Sequence, residues 1–315
     1  MLTLEAYARV LQTTPVGRVR SAFAAGIVAL GVLACGAPAG AREAGTKCQP
    51  GRVSGTYAAS VRHALRAGHD IWGEQLLRSR EGPTYNAVER RLTPLFYAAS
   101  PGGHRIGDSG VYYVPFAWPT LFGAQAIALH VADGGTIYAS RTSGPKLTIS
   151  VGSSARERYG SCLARLSTPQ LLGGYLPVLE TRYVDRGGVH YAQESFAARI
   201  GVTRSLVSFV RLTADARTVN HAVRLGFSTS ARHLTLAYDG TLSRGVKTHL
   251  FVSEGARVRG SSVTYLVPPG ETQTVYVAWL IDPAPTSPFT LDEGSYVAAR
   301  QALATFWARK LSSGA

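Results

Sequence analysis

The chain has 315 residues, 45% of them hydrophobic and 17% charged, so it can bury a sizeable core and is neither a disordered nor a fibrous polymer. Its 33 Lys and Arg outnumber 19 Asp and Glu, for a net charge of +14, a balance that favours anionic partners such as wall polymers, phospholipid or acidic glycans and that genomic base composition also produces in Arg-rich chains. No run of five or more Lys and Arg occurs, which leaves nucleic acid binding without a motif.

The N-terminus carries the pattern of an export signal. Arg18 and Arg20 precede an apolar run from Ala22 to Ala34, and Ala39-Gly40-Ala41 forms a small-residue cleavage site before Arg42. The run is shorter than the roughly 20 residues a membrane span needs, so residues 1–41 are expected to be removed. Met1 to Pro15 is unusual ahead of such a signal, and a start at Val16 fits it better. An alternative reading takes Val32-Leu33-Ala34-Cys35 as a lipoprotein box, with Cys35 carrying lipid. Beyond residue 41 two cysteines remain, Cys48 and Cys162, which can pair in an oxidising compartment or stand as unrelated thiols. No spacing of His and Cys suggests a metal, and no phosphate loop, dinucleotide fingerprint, GxSxG or HExxH is present, so no cofactor is expected.

Ala58 to Ala99 has helical periodicity in two pieces. The first carries Val61, Ala64, Leu65, Ile71, Trp72 and Leu76; the second opens at Pro83 and carries Val88, Leu92 and Leu95. From Val111 the period becomes that of strands. Val111–Phe116, Gln125–Val131, Lys146–Val151, Tyr159–Leu166 and Leu176–Tyr183 are short apolar or alternating runs separated by turn residues. Asp185-Arg186-Gly187-Gly188 marks a hairpin between Val178–Tyr183 and Val189–Phe196. Leu206–Leu212, His221–Phe227, Leu234–Tyr238, Thr248–Val252, Ser262–Leu266 and Thr272–Ile281 continue the series. About a dozen strands without intervening helices predict a large antiparallel β-sandwich over residues 105–290, after a helical segment at 42–104.

Pro283, Pro285 and Pro288 then read as a linker, and Tyr296, Ala299, Leu303, Trp307 and Leu311 put one apolar stripe on a terminal amphipathic helix at 291–315. Thr290 or Asp292 is placed to cap it. The stripe must pack on the sandwich or on a domain that this sequence does not contain.

Three groups of residues are candidates for binding. Asp70, Trp72 and Glu74 place two carboxylates and a ring within one helical turn, a pairing suited to sugar hydroxyls and a pyranose face, although a solvated helix surface beside a buried Trp72 has the same pattern. Tyr112, Tyr113, Phe116, Trp118 and Phe122 form the densest aromatic cluster; Trp118, between Ala117 and Pro119, is expected in a loop, where it would serve as a carbohydrate platform, and core packing accounts for most of the other rings. Glu194 shares its parity with Phe196, so with Val178, Tyr183 and Phe196 facing inward it is a buried carboxylate that requires a partner, Arg182 or Arg199, or a functional pocket.

The run Gly187-Gly188-Val189-His190-Tyr191-Ala192-Gln193-Glu194-Ser195-Phe196-Ala197-Ala198-Arg199, followed by Ser205 to Leu212, resembles the N-terminal β-sandwich of bacterial six-hairpin glycosidase-like proteins, and Tyr296 to Leu311 looks like their linker helix into an (α/α)6 toroid. The resemblance covers roughly Val111 to Leu311. It implies a supersandwich-like accessory domain of a glycoside-hydrolase-like protein, with carbohydrate as ligand. It also implies that the catalytic carboxylates lie in a toroid that this sequence lacks, so that residues 292–311 would receive that domain or a separate chain. A stand-alone module binding a surface glycan, and a complete glycosidase with a dispersed carboxylate pair, are the two rival readings.

Overall fold

The computed structural model describes residues 55–90, 113–119, 125–139, 144–200, 206–285 and 289–313. The export signal, Cys35, Cys48 and Tyr112 lie outside them. The pairing of Cys162 with Cys48 therefore lies outside them too; Cys162 itself is fully buried beside Arg165.

Sixteen strands account for a little under half of the described residues. They are β1 (Tyr113–Pro119), β2 (Gln125–Val131), β3 (Thr136–Tyr138), β4 (Lys146–Val151), β5 (Glu157–Arg158), β6 (Gln170–Leu172), β7 (Leu176–Val184), β8 (His190–Arg199), β9 (Leu206–Asp215), β10 (Val223–Thr229), β11 (Thr235–Leu236), β12 (Thr241–Arg244), β13 (Lys247–Val252), β14 (Arg257–Arg259), β15 (Ser262–Val267) and β16 (Thr272–Ala284). The first sheet runs β1-β2-β3-β4-β10-β15-β14 with β5 beside β4, and the second runs β11-β12-β13-β16-β9-β8-β7-β6. All pairings are antiparallel, as the alternating sequence runs require. The two sheets enclose one core, including Leu147, Ile149, Leu225 and Phe227 from the first and Leu179, Tyr183, Leu212 and Val277 from the second.

The main departures from the sequence reading have local causes. Residues 159–166 are not a strand: Leu163–Arg165 is a 3-10 turn, and Leu166 forms only an isolated bridge to Tyr183. The first helical piece is two helices, Gly55–Arg66 and Ile71–Arg78, because Gly68 adopts φ +68° between them and Asp70 caps the second by accepting a bond from the Gly73 amide. Residues 85–90 are helical and are tied to β6, where Asn86 accepts from the Leu171 amide at 2.8 Å. Pro283 is no linker residue but lies within β16, where pairing jumps from Thr248↔Ala284 to Leu250↔Trp279 and the intervening bulge needs no donor from a proline.

The C-terminal helix Glu293–Ser313 begins where Asp292 and Ser295 exchange caps, the Ser295 amide donating to Asp292 Oδ1 at 2.7 Å and the Asp292 amide to Ser295 Oγ at 2.9 Å. These bonds hold the Asp292 carboxyl below its ordinary pKa. Its stripe is covered by the chain's own second sheet: Tyr296 and Leu303 are buried against Val178, Phe196, Ala198, Val207, Phe209, Phe251, Ala278 and Leu280, with Ala299 and Trp307 half-buried beside them. Leu311 stays exposed. Phe196 and Phe209 stack at 5.0 Å, and Tyr296 meets Phe196 edge-on at 5.2 Å.

His130 lies between the sheets, 4.4 Å from the Phe116 ring, and bonds Ser195 Oγ at 3.1 Å and Ser208 Oγ at 3.2 Å. Burial lowers its pKa to about 3. The folded chain thus refuses a proton that the unfolded chain takes up below its ordinary value near 6.5. Stability from this group is present above that value and declines as pH falls toward 3. Melting temperature measured from pH 7 to pH 4 should fall more steeply for the native chain than for His130→Gln; parallel curves would remove His130 from the acid limb. Leu303→Ala should cost about 2 to 5 kcal/mol in urea unfolding, since it opens a cavity under the helix.

Candidate functional site

The outer face of the second sheet is organised in rows set by strand register. At one end, Phe196 is flanked by Val178 and Phe209, with Ala278 beyond, all beneath the C-terminal helix. The next row is Gln170, Glu180, Glu194, Arg211 and Tyr276 across β6, β7, β8, β9 and β16. Then comes Arg182, Ala192, Thr213 and Thr274, and finally Val184, His190, Asp215 and Thr272. The face passes from apolar to polar over these rows, because the helix covers one end only.

Glu194 stands at the boundary. Its side chain is 2% exposed, and its carboxylate meets Arg300 from the helix at 3.0 Å and Arg211 from β9 at 3.4 Å. The Tyr296 hydroxyl donates to Glu194 Oε1 at 3.0 Å. Burial, followed by the Glu194 charge, pushes the Tyr296 phenol well above its ordinary pKa, so it remains a donor. Arg211 also lies over the Tyr296 ring at 5.9 Å. The partners are Arg211 and Arg300, where the sequence led to the expectation of Arg182 or Arg199. The assumed facing also changes: Val178 and Phe196 turn to the helix, while Tyr183 turns to the core between the sheets.

Beyond this clamp lies an open trough. One part, about 500 Å³, is lined by Thr168, Gln170, Glu180, Arg182, Glu194 and Arg211 among others, and it continues into a part of about 400 Å³ reaching His190 and Asp215. Ala192 and Thr213 form a low floor between longer side chains. Glu180 and the Arg182 guanidinium have no side-chain partner among the described residues. Asp215 is engaged by Arg217 at 2.7 Å, which holds its carboxyl well below the usual range.

A second polar cluster closes one end of the sandwich. Arg158 holds Asp133 through both terminal nitrogens, at 2.7 and 3.1 Å, and Asp185 accepts from the Gly187 and Val189 amides and the Tyr191 hydroxyl. Glu157 takes the Tyr183 hydroxyl and Arg165. All three carboxylates are engaged, so they brace the loops.

The other sequence candidates are separated. Asp70 is spent on its helix cap, and Glu74 faces solvent between His69 and Arg78, at 3.8 and 3.5 Å. Trp72 is half-buried. Trp118 is in strand β1, paired in register with Ala126, and not in a loop. Reading Glu180, Arg182 and Arg211 as one surface required cross-strand register, though the alternation of β7 already placed Glu180 and Arg182 on a common face. No family model, curated protein or solved structure matches the chain.

Glu194→Gln should destabilise the chain by about 2 kcal/mol or more, somewhat below the roughly 3 to 5 kcal/mol of a fully buried broken pair because Arg211 still reaches water. Chemical denaturation compared with Glu180→Gln, expected within about 0.5 kcal/mol of native because half-buried Glu180 has no side-chain partner among the described residues, tests the distinction.

Proposed function

We propose that this chain is an exported, non-catalytic carbohydrate-associated β-sandwich, of the accessory kind found in glycoside-hydrolase-like proteins, with the open trough as its ligand surface. The observation that carries the reading is the unequal fate of the paired carboxylates. Glu180 and Glu194 face each other across β7 and β8, where Cβ atoms of such pairs lie about 4.5 to 5.5 Å apart. A glycosidase needs two accessible carboxylates about 5 to 10 Å apart. Glu194 is committed to Arg300, Arg211 and Tyr296, which removes it as nucleophile or proton donor. Glu180 stays open to accept hydroxyls, beside the donors Arg182, Gln170 and Thr168. This argues for binding over cleavage.

The sandwich class and the N-terminal signal pattern support export to the cell surface or beyond. A catalytic toroid or separate chain meeting residues 292–311 would use the helix surface that the sheet leaves uncovered, where Val297 is exposed beside the buried stripe and Leu311 is exposed at its end.

Purified full chain on a glycan array should bind a saccharide set that Glu180→Ala weakens roughly tenfold, while releasing no reducing ends from those saccharides. Turnover by the chain alone defeats the non-catalytic assignment; an array without binding defeats the carbohydrate assignment.

A further inference from the structure

We infer that the trough selects an acidic saccharide, one carrying ring carboxylates at intervals along an extended chain; this rests on the carbohydrate reading above. Arg182 is exposed on β7 with no side-chain partner for its guanidinium among the described residues. Arg211, on β9, is 41% exposed and reaches Glu194 at 3.4 Å. A guanidinium has five N–H donors in a planar fork that matches a carboxylate. Both arginines therefore retain donors toward the trough.

Their spacing argues for an extended ligand. Arg182 opposes Ala192 and Arg211 opposes Glu194, two residues further along β8. Two strand spacings and one two-residue step place their Cα atoms about 12 Å apart, with the methyl of Ala192 leaving the floor between them low. Gln170, Thr168 and Thr213 supply neutral hydrogen-bonding groups along the walls.

Glu180 sets the limit on charge density. It lies two residues from Arg182 on the same face, opposite Gln170 and Glu194, and it repels a second anion placed beside the first. A ligand with separated carboxylates can direct them to the arginines and a hydroxyl to Glu180. A densely sulfated chain cannot avoid that carboxylate. The net charge of +14 attracts every polyanion, so selectivity rather than attraction is the property at issue.

Titration calorimetry of the full chain with a galacturonate hexasaccharide, a neutral galactan hexasaccharide and a heparin hexasaccharide tests this at fixed, near-physiological salt. The galacturonate should bind at least roughly tenfold tighter than either alternative. Arg182→Ala should abolish that preference, Arg182→Lys should keep part of it, and Arg232→Ala, an exposed arginine on the loop after β10, should leave it intact. Equal binding of the neutral saccharide overturns the acidic selectivity and leaves the carbohydrate reading standing. Heparin binding as tight as galacturonate, or equal loss in Arg232→Ala, reduces the interaction to net charge and overturns the inference. Binding of none of the three, with an empty array, removes both readings.

Discussion

A carboxylate taken out of water needs compensation from charge and hydrogen bonds together, and Glu194 meets that demand with three side chains from two elements. Arg211 comes from the neighbouring strand, and Arg300 and Tyr296 from a helix about a hundred residues later in the chain. Because those partners sit on the helix, the helix has one position on the sheet. Because the helix has one position, the outer face of the sheet is divided into a covered apolar half and an open polar half. The clamp therefore decides where the trough begins.

The same economy of charge recurs at the end of the sandwich. Asp133, Glu157 and Asp185 are each held by arginine, phenol or backbone amide groups, which tie the loop after β2 to β5, β5 to β7, and the loop after β7 to β8. Tyrosines 159, 183 and 191 are raised above their ordinary pKa mainly by burial, which keeps them as hydrogen-bond donors and acceptors at neutral pH. Arg158, Arg165 and Arg300 serve as structural ties to buried or half-buried carboxylates. Arg182 faces the trough without such a duty among the described residues, and the duty of Arg211 is partial.

Some of the site was legible before the fold was known. Parity along β8 marked Glu194 as a carboxylate sharing a side with Phe196, and the stripe of Tyr296, Leu303 and Trp307 marked the helix face that needed cover. The link between the two was not legible, since nothing local says that the cover for the stripe and the partner for the carboxylate are the same surface. Trp118 misled because Pro119 suggested a loop, whereas an edge strand tolerates proline. Asp70 and Glu74 misled because a helix cap and a solvated ion pair use the same residue types as a sugar site.

The sequence by itself determined the class of the fold, the hairpin at Asp185 to Gly188 and the apolar stripe of Tyr296 and Leu303 on the terminal helix. Periodicity and turn chemistry are local properties, carried by residues a few positions apart. Only the tertiary structure decided that the helix stripe lies on the second sheet, that Glu194 is saturated while Glu180 is open, and that Arg182 and Arg211 face one trough. Those outcomes depend on register between strands and on a helix docking over long sequence separation. Competition among buried charges for partners, rather than the identity of any single residue, settles which carboxylate is structural and which remains open.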